Sequence, residues 1–157
     1  PIFSFLRPVP AIALIPLIIL YFGIGEFSKV FVIFVTATLY VILNASAGVK
    51  SVPQDLLRAG VNMGLTRSQL FVRVILPAAA PQVMTGIKTA TAVSWALVVA
   101  SELIAAQVGL GYMIMDAATF YRIPDVYISI AIIGLIGLAL EMLETYAETR
   151  LLHWRGK

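Results

Sequence analysis

Lys88, Thr91, Ser94, Trp95, Ser101 and Glu102 set an amine, hydroxyls, an indole N–H and a carboxylate inside one long apolar run. Two kinds of chemistry use such groups. A serine beside a lysine can act as a nucleophile with its base, the arrangement of a membrane-embedded hydrolase. Ser94, however, follows Lys88 by six residues, which turns the two onto different faces of a helix. No oriented base–nucleophile pair is visible. The second possibility is passage rather than reaction. Lys88, Thr91, Trp95, Val98 and Glu102 recur at helical spacing and share roughly one face, with Ser94 and Ser101 flanking it. Ionisable groups in a spanning helix are costly and by default face a bundle interior or water. The stripe is therefore expected to line a translocation route. The competing reading is packing: Lys88 and Glu102 snorkel toward opposite interfaces, while Ser, Thr and Trp fill helix contacts.

Other chemistries find no residues. The chain has no cysteine, which excludes disulfides, thiolate metal sites and cysteine nucleophiles. His153, its one histidine, lies near the end of the tail, so no metal or catalytic centre is expected. No cofactor is implied. No G-x-x-x-x-G-K-[ST] loop is present, so any ATP hydrolysis belongs to a partner.

The elements that must position these groups are helices in lipid. Of 157 residues, 61% are hydrophobic and 12% charged, with a mean hydropathy of +0.98. A soluble domain carries about 25% charge, so the apolar excess calls for a bilayer. Spanning that bilayer takes about 20 apolar residues. Candidate spans run over 8–25, 30–49, from Pro77 or Pro81 to about 106, and from about 126 to 146. Pro10 and Pro16 are expected to bend the first. The fold class is all-α, a polytopic membrane protein of about four spans. Pro1-Ile2-Phe3 opens the chain without Met or a signal peptide, and it reads as a piece of a longer chain.

The net charge is +3 and the pI about 9.4. These cations fall between apolar runs, so they read as orientation signals, not as a nucleic-acid surface. Arg7, Lys50, Arg58, Arg67, Arg73, Arg150, Arg155 and Lys157 share one side, and Lys29 and Arg122 lie opposite. The positive-inside rule then puts residues 50–73 and the C-terminus in the cytoplasm. Tyr112, Phe120, Tyr121 and Tyr127 fit an outer aromatic belt. Gly109 and Gly111 fit a tight turn, and Gly134 and Gly137 close helix packing. Glu141, Glu144 and Glu148 share a face and read as a lipid-surface or intersubunit feature.

The polar segment Ser51–Pro77 reads as two short helices and a corner. Ser51 with Gln54, and Thr66 with Gln69, have capping-box spacing. Pro53 suits a first turn. Gly64 suits the left-handed position that ends a helix. Pro77 disfavours helix at Leu76 and is expected to mark the boundary before the next span. A capped helical pair can transmit a push from a soluble partner, where a plain connection would be short and flexible. The alternative is an interfacial amphipathic helix resting on anionic lipid.

At these residues the sequence resembles the permeases of ABC importers, whose cytoplasmic motif is E-A-A-x3-G-x9-I-x-L-P. Ala59 matches the first Ala, Gly64 the Gly, and Leu76-Pro77 the closing pair. Gly60 stands at the second Ala, Val74 at the Ile, and Arg58 where the motif has Glu. Arg7-Pro-Val-Pro, Tyr21–Lys29, Ala47–Lys50, Gly109-Leu-Gly-Tyr112 and Trp154-Arg-Gly-Lys157 are similar to the taurine/alkanesulfonate branch, which includes nitrate and bicarbonate permeases.

The resemblance covers essentially the whole chain. It implies that Arg58, Ala59, Gly60, Gly64, Leu65, Thr66, Leu76 and Pro77 form the contact with a cytoplasmic ABC ATPase. It further implies a second permease chain, in a homodimer, and a periplasmic substrate-binding protein. The setting would be a bacterial inner membrane and the cargo a small oxyanion. Full-length members have further N-terminal spans. A purely structural membrane subunit is the remaining alternative, and the double capping signal argues against it.

Overall fold

Helices form wherever the apolar runs require every backbone polar group to be satisfied within its own segment. The computed structural model describes residues 10–153. Its elements are α1 (Ala11–Phe22), α2 (Glu26–Lys50), α3 (Gln54–Asn62), α4 (Arg67–Leu70), a π-helical turn (Phe71–Ile75), α5 (Leu76–Ala105), α6 (Leu110–Thr119) and α7 (Ile123–Leu151). Among the described residues there is no strand. Arg7 and the tail from Trp154, which carry part of the charge pattern and the resemblance, lie outside the described residues.

Among the described residues, three helical stretches are long and apolar enough to cross a bilayer: Glu26–Lys50, Arg67–Ile104 and Ile123–Leu151. The first expected span is shorter than its apolar run, because α1 covers only 12 residues, about 18 Å of rise. Pro10 does not bend it. It sits at the N-cap in an extended conformation, where a missing N–H removes no helical bond. Pro16 does lie inside the helix.

The described residues divide into two compact units, one of 10–37 with Thr91–Met142, the other of Thr38–Ala90 with 143–153. In the first, buried Ile15, Val32 and Leu97 form a small core, with Ile18, Ile19, Ile33, Val93 and Ala100 against it. Gly23, at φ 82°, turns the chain after α1, and Ser28 Oγ donates to Gly23 O at 2.7 Å across the corner. In the second unit α2 meets α5 through Asn44 and Gln82, and α5 meets α7 through Lys88 and Glu148. Large apolar side chains such as Leu20, Phe34 and Leu135 are exposed. In water that would be untenable; in hydrocarbon it costs nothing.

Candidate coupling element and the faces behind it

The corner in the second unit is built from local signals. Helix α3 ends at Met63, and Gly64 takes φ 77°. Gly64 N–H donates to Val61 O at 2.9 Å and Leu65 N–H to Gly60 O at 3.2 Å. Those two bonds constitute a Schellman motif, which needs a residue free of the left-handed penalty at Gly64. Thr66 then starts α4 as expected. Its Oγ1 accepts from Gln69 N–H at 3.4 Å, and its own N–H donates to Gln69 Oε1 at 3.0 Å.

Gly60 is buried in this corner. A methyl group there would lie 2.5 Å from Leu70 Cδ1, 3.4 Å from Leu65 Cδ1 and 3.5 Å from Val74 Cγ2. The absence of a side chain lets α3 lie directly on the turn that follows. Arg58, at the motif's acidic position, is exposed and lies 3.9 Å from equally exposed Asp55.

Two expectations about this segment are corrected. Ser51 does not cap α3: its Oγ donates to Gly48 O at 2.8 Å in the last turn of α2, and Pro53 takes the N-cap without a side-chain bond. A hydroxyl so close to the preceding helix finds a carbonyl before it finds an amide. Nor does Pro77 form a boundary. Leu76 is right-handed helical, at φ −61° and ψ −49°, and the helix continues through Pro77 and Pro81. The π-helical turn explains why. Leu76 N–H reaches back to Phe71 O, a wider loop that loosens the ladder just where the Pro77 ring would crowd the carbonyl of Arg73. The second arm of the corner therefore passes without a break into a membrane span.

The Lys88–Glu102 stripe divides between the two units, and each ionisable end has a partner within its own unit. Lys88 belongs to the second unit, where its ammonium lies 2.5 Å from Glu148 Oε2 and donates to Thr145 Oγ1 at 3.2 Å. Glu148 is thus a helix–helix partner, not part of a free acidic face. Glu102 belongs to the first unit and accepts from Gly111 N–H at 2.8 Å. A carboxylate at this helix N-terminus satisfies an orphan donor and meets the favourable end of the dipole. Gly109, at φ 127°, and Gly111 are needed for the approach. A methyl group at Gly109 would lie 2.6 Å from both Glu102 oxygens, and one at Gly111 would lie 2.5 Å from Val99 O.

Thr91, Ser94 and Trp95 remain half-buried on α5 in the first unit. Trp95 Nε1 is buried and finds no acceptor among the described residues. It rests over Gly137, where a methyl group would lie 3.5 Å away in ordinary van der Waals contact, so the close packing expected of Gly137 does not require glycine. Gly134 has nothing within 4 Å.

Comparison with known proteins fits this architecture. Residues 1–153 match the model of a family described as "Binding-protein-dependent transport system inner membrane component". The chain belongs to this family. Among its relatives, the taurine transport system permease protein TauC of Escherichia coli (strain K12) is 41% identical over 157 residues, 100% of this chain and 57% of the relative. The nitrate import permease protein NrtB of Leptolyngbya laminosa is 37% identical over 150 residues, 96% of this chain and 54% of the relative. An E. coli permease protein named for aliphatic sulfonates transport, SsuC, is 34% identical over 149 residues, 95% of this chain and 57% of the relative. The chain thus spans little more than half the length of the relatives it matches. As a family member it is a membrane-embedded transport component, and the apolar helices agree.

Proposed function

We propose that this chain is part of the transmembrane subunit of an ATP-driven ABC importer, with Ser51–Pro77 as the segment that receives motion from a separate ATPase. The observation that carries the reading is the continuity of the corner with the span: capped at Thr66 and closed at Gly64, α4 leads through the π-helical turn directly into α5. A stiff arm of that kind can convert displacement at a docking surface into tilt of a membrane helix. Arg58, Ala59, Gly60, Gly64, Leu65, Thr66, Leu76 and Pro77 are the residues proposed to shape and support that contact.

Two such chains would form the route, and a periplasmic binding protein would deliver the cargo. The subunit would lie in a bacterial inner membrane, with its C-terminus in the cytoplasm as the cation bias favours. Relatives named for taurine, nitrate and aliphatic sulfonates support a small oxyanion as cargo, with taurine or an alkanesulfonate first. Within the stripe, Thr91, Ser94 and Trp95 are proposed to face the route. Trp95 offers an unused N–H donor, which suits an oxyanion. Lys88 and Glu102 are proposed to hold the helices that bound the route.

The test is co-purification of the full-length permease with its cognate ATPase. Gly64→Val puts a β-branched residue at a positive φ, a conformation such residues avoid. The ATPase is expected to stay with the wild-type chain and to be lost with Gly64→Val while the permease remains folded. Equal retention by both would refute the coupling role.

A further inference from the structure

Asn44 and Gln82 each place an amide in an otherwise apolar helical run, and the two meet. Gln82 Nε2 donates to Asn44 Oδ1 at 3.3 Å, and Asn44 Nδ2 donates to Tyr40 O at 2.9 Å. Each amide precedes a glycine by four residues on its own helix, Asn44 before Gly48 and Gln82 before Gly86. Such pairs share a helix face. Each amide also packs on the glycine of the opposite helix. A methyl group at Gly86 would lie 2.5 Å from Asn44 Cβ; at Gly48 it would lie 2.9 Å from Gln82 Cβ and 3.1 Å from Ala79 O. The contact is therefore a reciprocal interlock, closed by a hydrogen bond, at a point where small residues let two backbones approach.

Its position gives it a consequence. Helix α2 ends at Lys50 and the second arm of the corner begins at Arg67, so the interlocked residues flank the coupling segment in sequence on both sides. A push on α3 and α4 is delivered to α2 and α5 together, and without a tie the two helices could respond separately. We propose that the Asn44–Gln82 interlock makes these ends of α2 and α5, with the corner between them, a single lever. Asn44 and Gln82 are positioning residues for coupling and not ligands of the cargo. The inference rests on the coupling role proposed for Ser51–Pro77.

The chain itself contains no cysteine, so in a background kept cysteine-free an introduced thiol pair is unique. The full-length permease carrying N44C and Q82C is assembled with its ATPase and binding protein in proteoliposomes. Uptake and ATP hydrolysis are read before and after a short bifunctional thiol reagent. Helices that move as one body tolerate the tether, and the tether stands in for the lost amide bond. The untreated double-cysteine variant is therefore expected to transport less per ATP than the wild type, and the treated one to recover most of the difference. Abolished uptake with the ATPase still bound would overturn the interlock alone. Full retention of the ATPase by Gly64→Val in the same membranes would overturn the coupling role, and this inference with it.

A second set of variants makes the result independent of the thiol pair. N44L/Q82L is expected to lower uptake per ATP about threefold, the equivalent of about 0.6 kcal/mol for an interhelical hydrogen bond in a membrane. The exchanged pair N44Q/Q82N is expected to restore most of it. Wild-type uptake per ATP in N44L/Q82L would overturn the proposal.

Discussion

Glu102 shows how a charged residue inside an apolar helix can have a structural partner a short distance along the chain. Its carboxylate accepts from Gly111 N–H, and both nearby glycines are shaped around it. A hydrogen bond to a charged group is worth about 1.5–3 kcal/mol net. Glu102→Ala is expected to lower the thermal stability of the detergent-solubilised permease by about that amount, and Glu102→Gln, which keeps an acceptor, by less. Equal melting of the two variants would show that the acceptor is irrelevant. The sequence exposes Glu102 as an ionisable group in a span, and its spacing favours a face shared with Lys88. The Gly111 partner is legible only in part: Gly109 and Gly111 read as a turn, but nothing in local spacing aims that turn at the carboxylate. Trp95 is the reverse case, since its N–H lies buried without an acceptor among the described residues and keeps its place in the proposed route.

At the scale of elements, what the sequence reveals depends on how far apart the partners lie. The Thr66–Gln69 box and the Gly64 turn are complete within a few residues, and both are as expected. Ser51 fails because its hydroxyl donates back to Gly48 O in the preceding helix and does not accept from an amide of the following one. Pro77 fails because a π-helical turn, invisible to periodicity, makes room for its ring. The Asn44–Gln82 and Lys88–Glu148 contacts join residues far apart in sequence, and no local pattern announces them, although an amide four residues before a glycine in a span is a signal that was there to be used.

The π-helical turn also carries a prediction. It adds one residue to a turn, so its conversion to α-helix would rotate the corner about 100° around the axis of the span. Pro77→Ala removes the ring that favours the wider turn. This variant is expected to melt at the wild-type temperature or above it, yet to retain less ATPase in co-purification. Full retention would mean that the π-helical turn is irrelevant to docking.

For the whole molecule, apolar surface is abundant and the internal cores are small, so specific polar contacts carry much of the positioning. Lys88 and Glu148 are 29% and 24% exposed at the side chain, between the fully screened and the buried case. Breaking the pair with Lys88→Glu is expected to cost about 1–3 kcal/mol of stability. The reversed pair K88E/E148K is expected to recover most of the melting temperature, and failure to do so would show that the charges act through other neighbours. The membrane class, three of the four expected spans and the family resemblance are legible in composition and motif. The division of the Lys88–Glu102 stripe between two units is not, because helical spacing gives the face of a helix and not its neighbours.

The central claim is that the corner at Gly64 meets a cytoplasmic ATPase. Met63 is 80% exposed beside it, and Tyr121, on the connection between α6 and α7, is 88% exposed. A single cysteine at either position of the full-length permease, in a background kept cysteine-free, can be loaded with a short photo-cross-linker in membranes containing the cognate ATPase. An ATPase adduct is expected from position 63 and none from position 121; an adduct from 121, or none from 63, would contradict docking at the Gly64 corner.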